Sequence, residues 1–123
     1  APWMMILFLC LGFAAGLMLE EPKFGINAEL SAVYLVREAQ RAGVGTRLVA
    51  AVAAAQQAHG ANGLIVWVIE GNKPARAFYE NLGAELLVEQ PFTWDGMDLV
   101  EAGYGFRDLS ALVAAGDGPA ALH

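Results

Sequence analysis

The stretch REAQRAGVGTRLVAAV, from Arg37 to Val52, places Gly43 and Gly45 immediately before a run typical of an amphipathic helix. A strand that ends in a glycine-bearing loop and enters a helix directs unpaired backbone N–H groups at one point in space. A diphosphate would fit such a site. The alternative is a plain tight turn, in which the glycines supply only backbone freedom, and the stretch alone leaves both interpretations open. A Walker loop does not fit because no Gly-Lys-Ser/Thr follows, and a dinucleotide fingerprint fits poorly because one of its three glycines is missing.

Composition narrows the class of partner. The chain has 123 residues, enough for one domain with a single core, and 57% of them are apolar. Its formal charge of −6 argues against general binding to nucleic acids or anionic membranes, since both require a basic face. Three of the seven cationic residues nevertheless fall at Arg37, Arg41 and Arg47, which indicates a small anion. The single Cys10 excludes an internal disulfide, and we expect a reducing, cytoplasmic compartment.

The first 19 residues carry no charged side chain and allow three interpretations. We favour a buried strand over a membrane or signal segment and over an apolar helix. No basic residue precedes the run, and Gly12 and Gly16 interrupt it. A turn is expected at Glu21-Pro22-Lys23.

Hydrophobic periodicity and turn signals predict the remaining elements. Asp95-Gly96 is the strongest hairpin signal in the sequence. Continuous apolar runs predict strands, and apolar residues at helical spacing predict a helix. The predicted elements are strands at 27–36, 63–70, 85–94 and 97–106, a helix over 43–58, and a second helix after residue 72.

The second helix has clear boundaries. Asn72 can cap it, and Gly83 stands just past its end. Arg76 and Glu80 have the i,i+4 spacing of an ion pair on its outer face. The residues expected on its inner face are Ala75, Phe78, Tyr79 and Leu82.

The segments VYLVREAQRAGVG (33–45) and LIVWVIEGNKPARAFYENLGAELL (64–87) together resemble the GNAT superfamily of acyl-CoA-dependent N-acyltransferases. The resemblance implies an α/β (α+β) fold, a mixed and mostly antiparallel sheet with two helices. We expect one such domain over residues 1–112 and a flexible tail over 113–123. The function implied is transfer of an acetyl group from acetyl-CoA to a primary amine by direct attack, with no metal.

The family's Gln/Arg-x-x-Gly-x-Gly/Ala loop holds the pyrophosphate of coenzyme A, which makes residues 43–46 backbone donors. Backbone groups of Leu35 and Val36 would meet the pantetheine amides, and an N–H there would polarise the thioester carbonyl. Asn72 would contact the pantetheine region, cap its helix, or do both. The cofactor-binding residues implied are Leu35, Val36, Gln40, Arg41, Ala42, Gly43, Val44, Gly45, Thr46, Asn72, Ala75 and Tyr79.

The resemblance also implies two catalytic residues. Tyr79 occupies the family's position for a general acid, a phenol that can protonate or hydrogen-bond the departing thiolate. The alternative is a core tyrosine whose hydroxyl is satisfied locally. Glu29, on the strand at the cofactor edge, is the candidate general base, although a solvated strand glutamate fits equally well. Trp67 stands where some relatives place a glutamate base.

The chain departs from the family before Gly12, where the usual strand and two helices do not fit into the available length. We therefore expect an incomplete acceptor side, and a homodimer or strand-exchanged oligomer formed through residues 3–20. The alternative function is a truncated, inactive module that binds acyl-CoA or serves only as an oligomeric structure. The expected partners are acetyl-CoA and an amine acceptor, with no nucleic acid and no membrane.

Overall fold

The computed structural model describes residues 4–9, 12–35 and 43–117, with side chains placed for 16–31 and 43–116. Within these residues, six strands form one sheet in the order β1-β2-β3-β4-β6-β5. All neighbouring strands are antiparallel except β3 and β4, which are parallel. The elements are β1 (Met4–Leu9), β2 (Gly12–Lys23), β3 (Ile26–Leu35), α1 (Val44–Ala58), β4 (Leu64–Ile69), α2 (Lys73–Asn81), β5 (Glu85–Trp94), β6 (Met97–Phe106) and α3 (Leu109–Asp117). The predicted fold class is confirmed, and the described parts of the apolar N-terminal run, residues 4–9 and 12–19, lie in strands.

The turn between β2 and β3 lies at Phe24-Gly25, so the predicted turn at Glu21-Pro22-Lys23 is wrong. Phe24 and Gly25 both have positive φ, 53° and 79°. This conformation suits a two-residue hairpin turn because its twist matches that of the flanking strands. The described residues of β1 pair with residues 12–17 of β2. Pro22 lies beyond that range, so the N–H that proline lacks is not required for a hydrogen bond to β1.

The three helices of the described chain, α1, α2 and α3, pack on one face of the sheet. Side chains alternate along each strand, so Leu30, Val66 and Tyr104 share that face through their cross-strand register. They form a single core cluster with buried residues of α1, α2 and α3. The opposite face carries Glu29 and Trp67, which belong to the other set of alternating positions.

The third helix was not predicted. α3 extends to Asp117 and places Leu109 and Leu112 in the core cluster, so the ordered domain continues beyond residue 112. Residues 118–123 of the expected tail lie outside the described residues. The α3 composition, LSALVAAGD, is rich in alanine and leucine, which favour helix. Among the described residues, no helix is long and apolar enough to cross a membrane.

Candidate functional site

The strands β3 and β4 separate soon after they meet. They pair at Glu29–Ile65 and Leu30–Val66, yet β3 continues to Leu35 and β4 to Ile69. Beyond Val66 the two strands therefore present backbone N–H and C=O groups that do not bond to each other. A parallel sheet that opens at the carboxyl ends of its strands is a common site for ligands. The opening can accept an extended molecule that carries amide groups of its own.

The amino end of α1 follows β3 at the same edge of the sheet. Gly43 is its N-cap, with φ 76° and ψ 3°, and among the described residues no side chain caps the helix. The N–H of Arg47 bonds to the carbonyl of Gly43 at 3.1 Å, so the N–H groups of Val44, Gly45 and Thr46 precede the first intrahelical bond. No acidic side chain lies in this first turn. These three donors and the helix dipole form an environment suited to an anion.

The rest of the predicted diphosphate loop cannot be placed. Val36, Gln40, Arg41 and Ala42 lie outside the described residues. β3 is described as far as Leu35, and the strand and helix predicted on either side of the loop are confirmed.

Asn72 caps α2, as the sequence predicts. Its Oδ1 accepts a hydrogen bond from the N–H of Ala75 at 3.3 Å, and Pro74 lies in the first turn. The side chain of Ala75 is half-buried and packs against the core cluster. Asn72 therefore has a structural role in this fold, and its exposed position leaves the side-chain NH₂ accessible.

Tyr79 lies in the core on the inner face of α2. Its ring packs edge-on against Phe78 and Phe106, with ring centroids 5.0 and 6.4 Å away. Burial raises the pKa of Tyr79 to about 12, so the phenol is neutral across the physiological range. Among the described residues, the buried side-chain polar atoms that lack a hydrogen-bond partner are the two amide atoms of Gln56. The Tyr79 hydroxyl is not among them, so it is not fully buried in the core. This hydroxyl makes no hydrogen bond with another described residue.

A hydrogen-bonded group that the sequence did not reveal fixes α2 to the sheet. The Nε of Arg76 donates to the hydroxyl of Tyr104 at 2.9 Å, and that hydroxyl donates to Oε2 of Glu80 at 2.6 Å. The predicted direct ion pair is thus replaced by two bonds through Tyr104. Arg76 also donates through Nη1 to the carbonyl of Glu70 at 3.1 Å. This group of hydrogen bonds holds two α2 residues, Arg76 and Glu80, and the end of β4 together. It therefore fixes the position of α2, and with it the positions of Asn72 and Tyr79.

Glu29 is half-buried at the point where β3 and β4 separate. Burial raises the pKa of the Glu29 carboxyl, and the nearby Glu101 carboxylate raises it further, while Lys23 and the indole of Trp67 oppose the shift. A raised pKa makes a carboxylate a stronger base, as the general-base role requires. Trp67 lies on the same face of the sheet, one residue beyond the last β3–β4 pair. Within the described parts of the chain, no three His, Cys, Asp or Glu residues are grouped to hold a metal ion.

Comparison with known proteins places this geometry in a family. Residues 11–93 match the sequence model of the FR47-like proteins. The chain is 41% identical over 101 residues to a Bacillus subtilis (strain 168) protein named uncharacterized N-acetyltransferase YuaI. That alignment covers 82% of this chain and 58% of the relative, so the chain spans little more than half of the relative's length.

Solved structures share the fold. Chaetomium thermophilum Naa20 in complex with a bisubstrate analogue superposes with a TM-score of 0.69 at 21% identity, over 79% of this chain and 59% of that one. Salmonella typhimurium yncA with its cofactor acetyl-CoA gives a TM-score of 0.64 at 17% identity, over 79% and 57%. A GNAT-family protein of Desulfovibrio desulfuricans gives 0.66 at 20% identity, over 78% and 60%.

Proposed function

Because this chain belongs to the FR47-like family of the GNAT superfamily, we propose that it is an N-acetyltransferase that transfers acetyl from acetyl-CoA to a primary amine. The observation that carries the proposal is the opening between β3 and β4 beside the uncapped, glycine-led end of α1. The opening offers backbone partners to an amide-bearing chain, and the helix end offers N–H donors to a diphosphate. Coenzyme A contains both groups in sequence.

The diphosphate is assigned to the N–H groups of Val44, Gly45 and Thr46. Hydrogen bonds that involve a charged partner contribute about 1.5 to 3 kcal/mol each, so three of them can anchor the cofactor without a basic side chain. The pantetheine arm is assigned to the free edge of β3 beyond Leu30, where its amides would extend the backbone pairing. Asn72, at the amino end of α2, borders the other side of this path.

The reaction follows from these positions. A neutral amine attacks the thioester carbonyl, and a backbone N–H near Leu35 stabilises the resulting oxyanion, a contribution often worth about 3 to 4 kcal/mol. The nitrogen of the tetrahedral intermediate loses one proton, the oxyanion collapses to the amide carbonyl as the C–S bond breaks, and the coenzyme A thiolate leaves and takes up a proton. Glu29 is assigned as the base that takes a proton from the amine.

Tyr79 is assigned to the leaving group. Full proton transfer from a phenol of pKa about 12 to a thiolate with an ordinary pKa of about 8.5 is uphill by roughly 5 kcal/mol. A hydrogen bond from the neutral phenol to the sulfur carries no such penalty. We therefore assign Tyr79 as a hydrogen-bond donor that stabilises the departing thiolate, with solvent supplying the proton.

Two measurements test this function. Isothermal titration calorimetry with acetyl-CoA detects cofactor binding, and an assay for free thiol, run over a panel of primary amines, detects transfer. Binding together with amine-dependent thiol release supports the enzyme. Binding without release for any amine favours the alternative of an acyl-CoA-binding module, and absence of binding refutes both.

A homodimer is proposed as the assembly. Among the described strands, β1 (MMILFL) is an apolar strand at the edge of the sheet, with β2 as its one neighbour. An unprotected apolar edge strand is a template for pairing with another chain. Size-exclusion chromatography with light scattering should give twice the chain mass of 13.0 kDa. A well-behaved monomer would contradict the proposal.

A further inference from the structure

A lysine ammonium lies over a tryptophan ring on the sheet face opposite the helices. Nζ of Lys23 is 6.0 Å from the centroid of the Trp67 ring, a distance typical of a cation–π interaction. Lys23 is exposed and stands at the end of β2, beside the Phe24-Gly25 turn. The side chain can therefore leave the ring without disturbing the core.

The ring itself is held in place by the strand beside it. Trp67 is opposite Gly103 in the β4–β6 ladder. A Cβ on Gly103 would lie 2.7 Å from Cζ3 and 3.0 Å from Cη2 of the indole. The ring therefore lies directly over the glycine backbone, in a space that a larger residue at position 103 would fill.

Two carboxylates lie on the same face of the sheet as the Trp67 ring. Glu29 lies on the same face in β3, and Glu101 lies two residues along β6 from Gly103 on that face. Glu101 is fixed by a hydrogen bond from Nε2 of Gln90 to its Oε1, at 2.9 Å. Both carboxylates are only partly exposed. The two carboxylates outnumber the one ammonium of Lys23, so the net charge here is negative and favours a cationic occupant.

The position of this group relates it to the reaction. Glu29 belongs to the last pairs of the β3–β4 ladder, and Trp67 is the first residue of β4 beyond them. The group thus lies where the opening between the strands begins, on the face away from α1. An amine bound there would approach the opening from the side that the helices do not cover.

We propose that the acceptor is a cationic alkylamine whose ammonium group binds over Trp67, beside Glu29 and Glu101, in the place now taken by the Lys23 ammonium. The proposal rests on the transferase function above and names its substrate class. The ring attracts the cation, the two carboxylates supply opposite charge, and Lys23 competes for the same place. The amine must lose one proton before attack, and Glu29 lies beside it to receive that proton.

The test is a binding titration without acetyl-CoA, followed by NMR through the indole N–H signal of Trp67, which a Trp67→Phe variant identifies. The probes are pentylamine at pH 7 and, as its neutral counterpart of similar shape, pentan-1-ol. Pentylamine should shift the signal saturably and pentan-1-ol should not. Equal binding of the two, or no shift with pentylamine in any variant, would overturn the proposal.

Three variants sharpen the result. Lys23→Met removes the internal competitor and should tighten pentylamine binding by about two- to fivefold, the range expected for one exposed cation–π contact. Glu101→Gln should weaken it by a similar factor. Lys73→Met makes the same change on the other lysine of the chain and should leave binding unchanged. Weaker binding in Lys23→Met would overturn the proposal, because Lys23 would then be part of the site.

The outcome is separable from that of the proposed function. A protein that binds pentylamine over Trp67 but fails to bind acetyl-CoA would refute the transferase and keep the cation site. A protein that binds acetyl-CoA and releases thiol with other amines, while pentylamine leaves Trp67 unaffected, would refute the acceptor class alone.

Discussion

Replacing Gly43 with valine should weaken acetyl-CoA binding without unfolding the protein. Gly43 caps α1 at φ 76°, in the left-handed region that a β-branched residue does not tolerate. To relieve this strain the loop must change conformation. The N–H groups of Val44, Gly45 and Thr46 would then no longer point together at the diphosphate. Loss of one aligned hydrogen bond to the diphosphate costs about 1.5 to 3 kcal/mol, which raises the Kd by about ten- to 150-fold.

The same helix provides the matched control. Gly60, just past the other end of α1, has φ 95°, and a Cβ there would meet no atom within 4 Å. Gly60→Val therefore introduces comparable backbone strain far from the proposed diphosphate. A Gly43→Asn variant tolerates the left-handed conformation and should bind nearly as the wild type does.

Calorimetric titration with acetyl-CoA, together with urea unfolding of each variant, separates binding from stability. Gly60→Val should lose stability and keep its Kd, whereas Gly43→Val should show the higher Kd. An unchanged Kd in folded Gly43→Val would refute the assignment of the diphosphate to this loop.

Three further predictions concern stability. Tyr104→Phe removes the hydroxyl that bonds to Glu80 and should lower the free energy of unfolding by about 1.5 kcal/mol, the low end for a charged partner because Glu80 is exposed; urea unfolding unchanged from wild type would show that the bond contributes nothing. Gln56→Met should raise that free energy by about 1 to 3 kcal/mol, because both amide atoms of Gln56 are buried without a partner, and a lower denaturation midpoint would contradict this. Glu29→Gln should raise the free energy of unfolding at pH 7, and this gain should disappear as the pH falls towards 4.5. The reason is that a carboxyl whose pKa is raised on folding destabilises the folded state when it is charged, at pH values above its pKa in the unfolded chain. Unfolding at pH 7 and pH 4 measures the difference, and an equal effect at both would be inconsistent with the raised pKa.

Local sequence signals specified most of the elements. Asp95-Gly96 and the alternating residues on either side of it predicted the boundaries of β5 and β6, which the structure confirms. Asn72 predicted the start of α2 and Gly83 its end, and both are confirmed. These features depend on residues close together in the chain. The β2–β3 turn was misplaced because proline is a strong turn signal, whereas the fold keeps Pro22 at an unpaired position of β2.

The site was less accessible from sequence, because its parts come together only through the sheet. Tyr104 is separated from Arg76 by 28 positions, and no local pattern indicates that its hydroxyl joins Arg76 and Glu80. The pairing of Lys23 with Trp67 likewise depends on strand order. The sequence placed Glu29 in its strand, but the neighbours that shift its pKa belong to other strands.

The most direct test of the account is a backbone NMR titration of the ¹⁵N-labelled chain with acetyl-CoA. The proposed binding mode predicts that the amide signals of Val44, Gly45 and Thr46 shift together and saturate at one Kd, as hydrogen bonds to the diphosphate form. Saturable binding that leaves these three signals in place, or no binding at all, would contradict it.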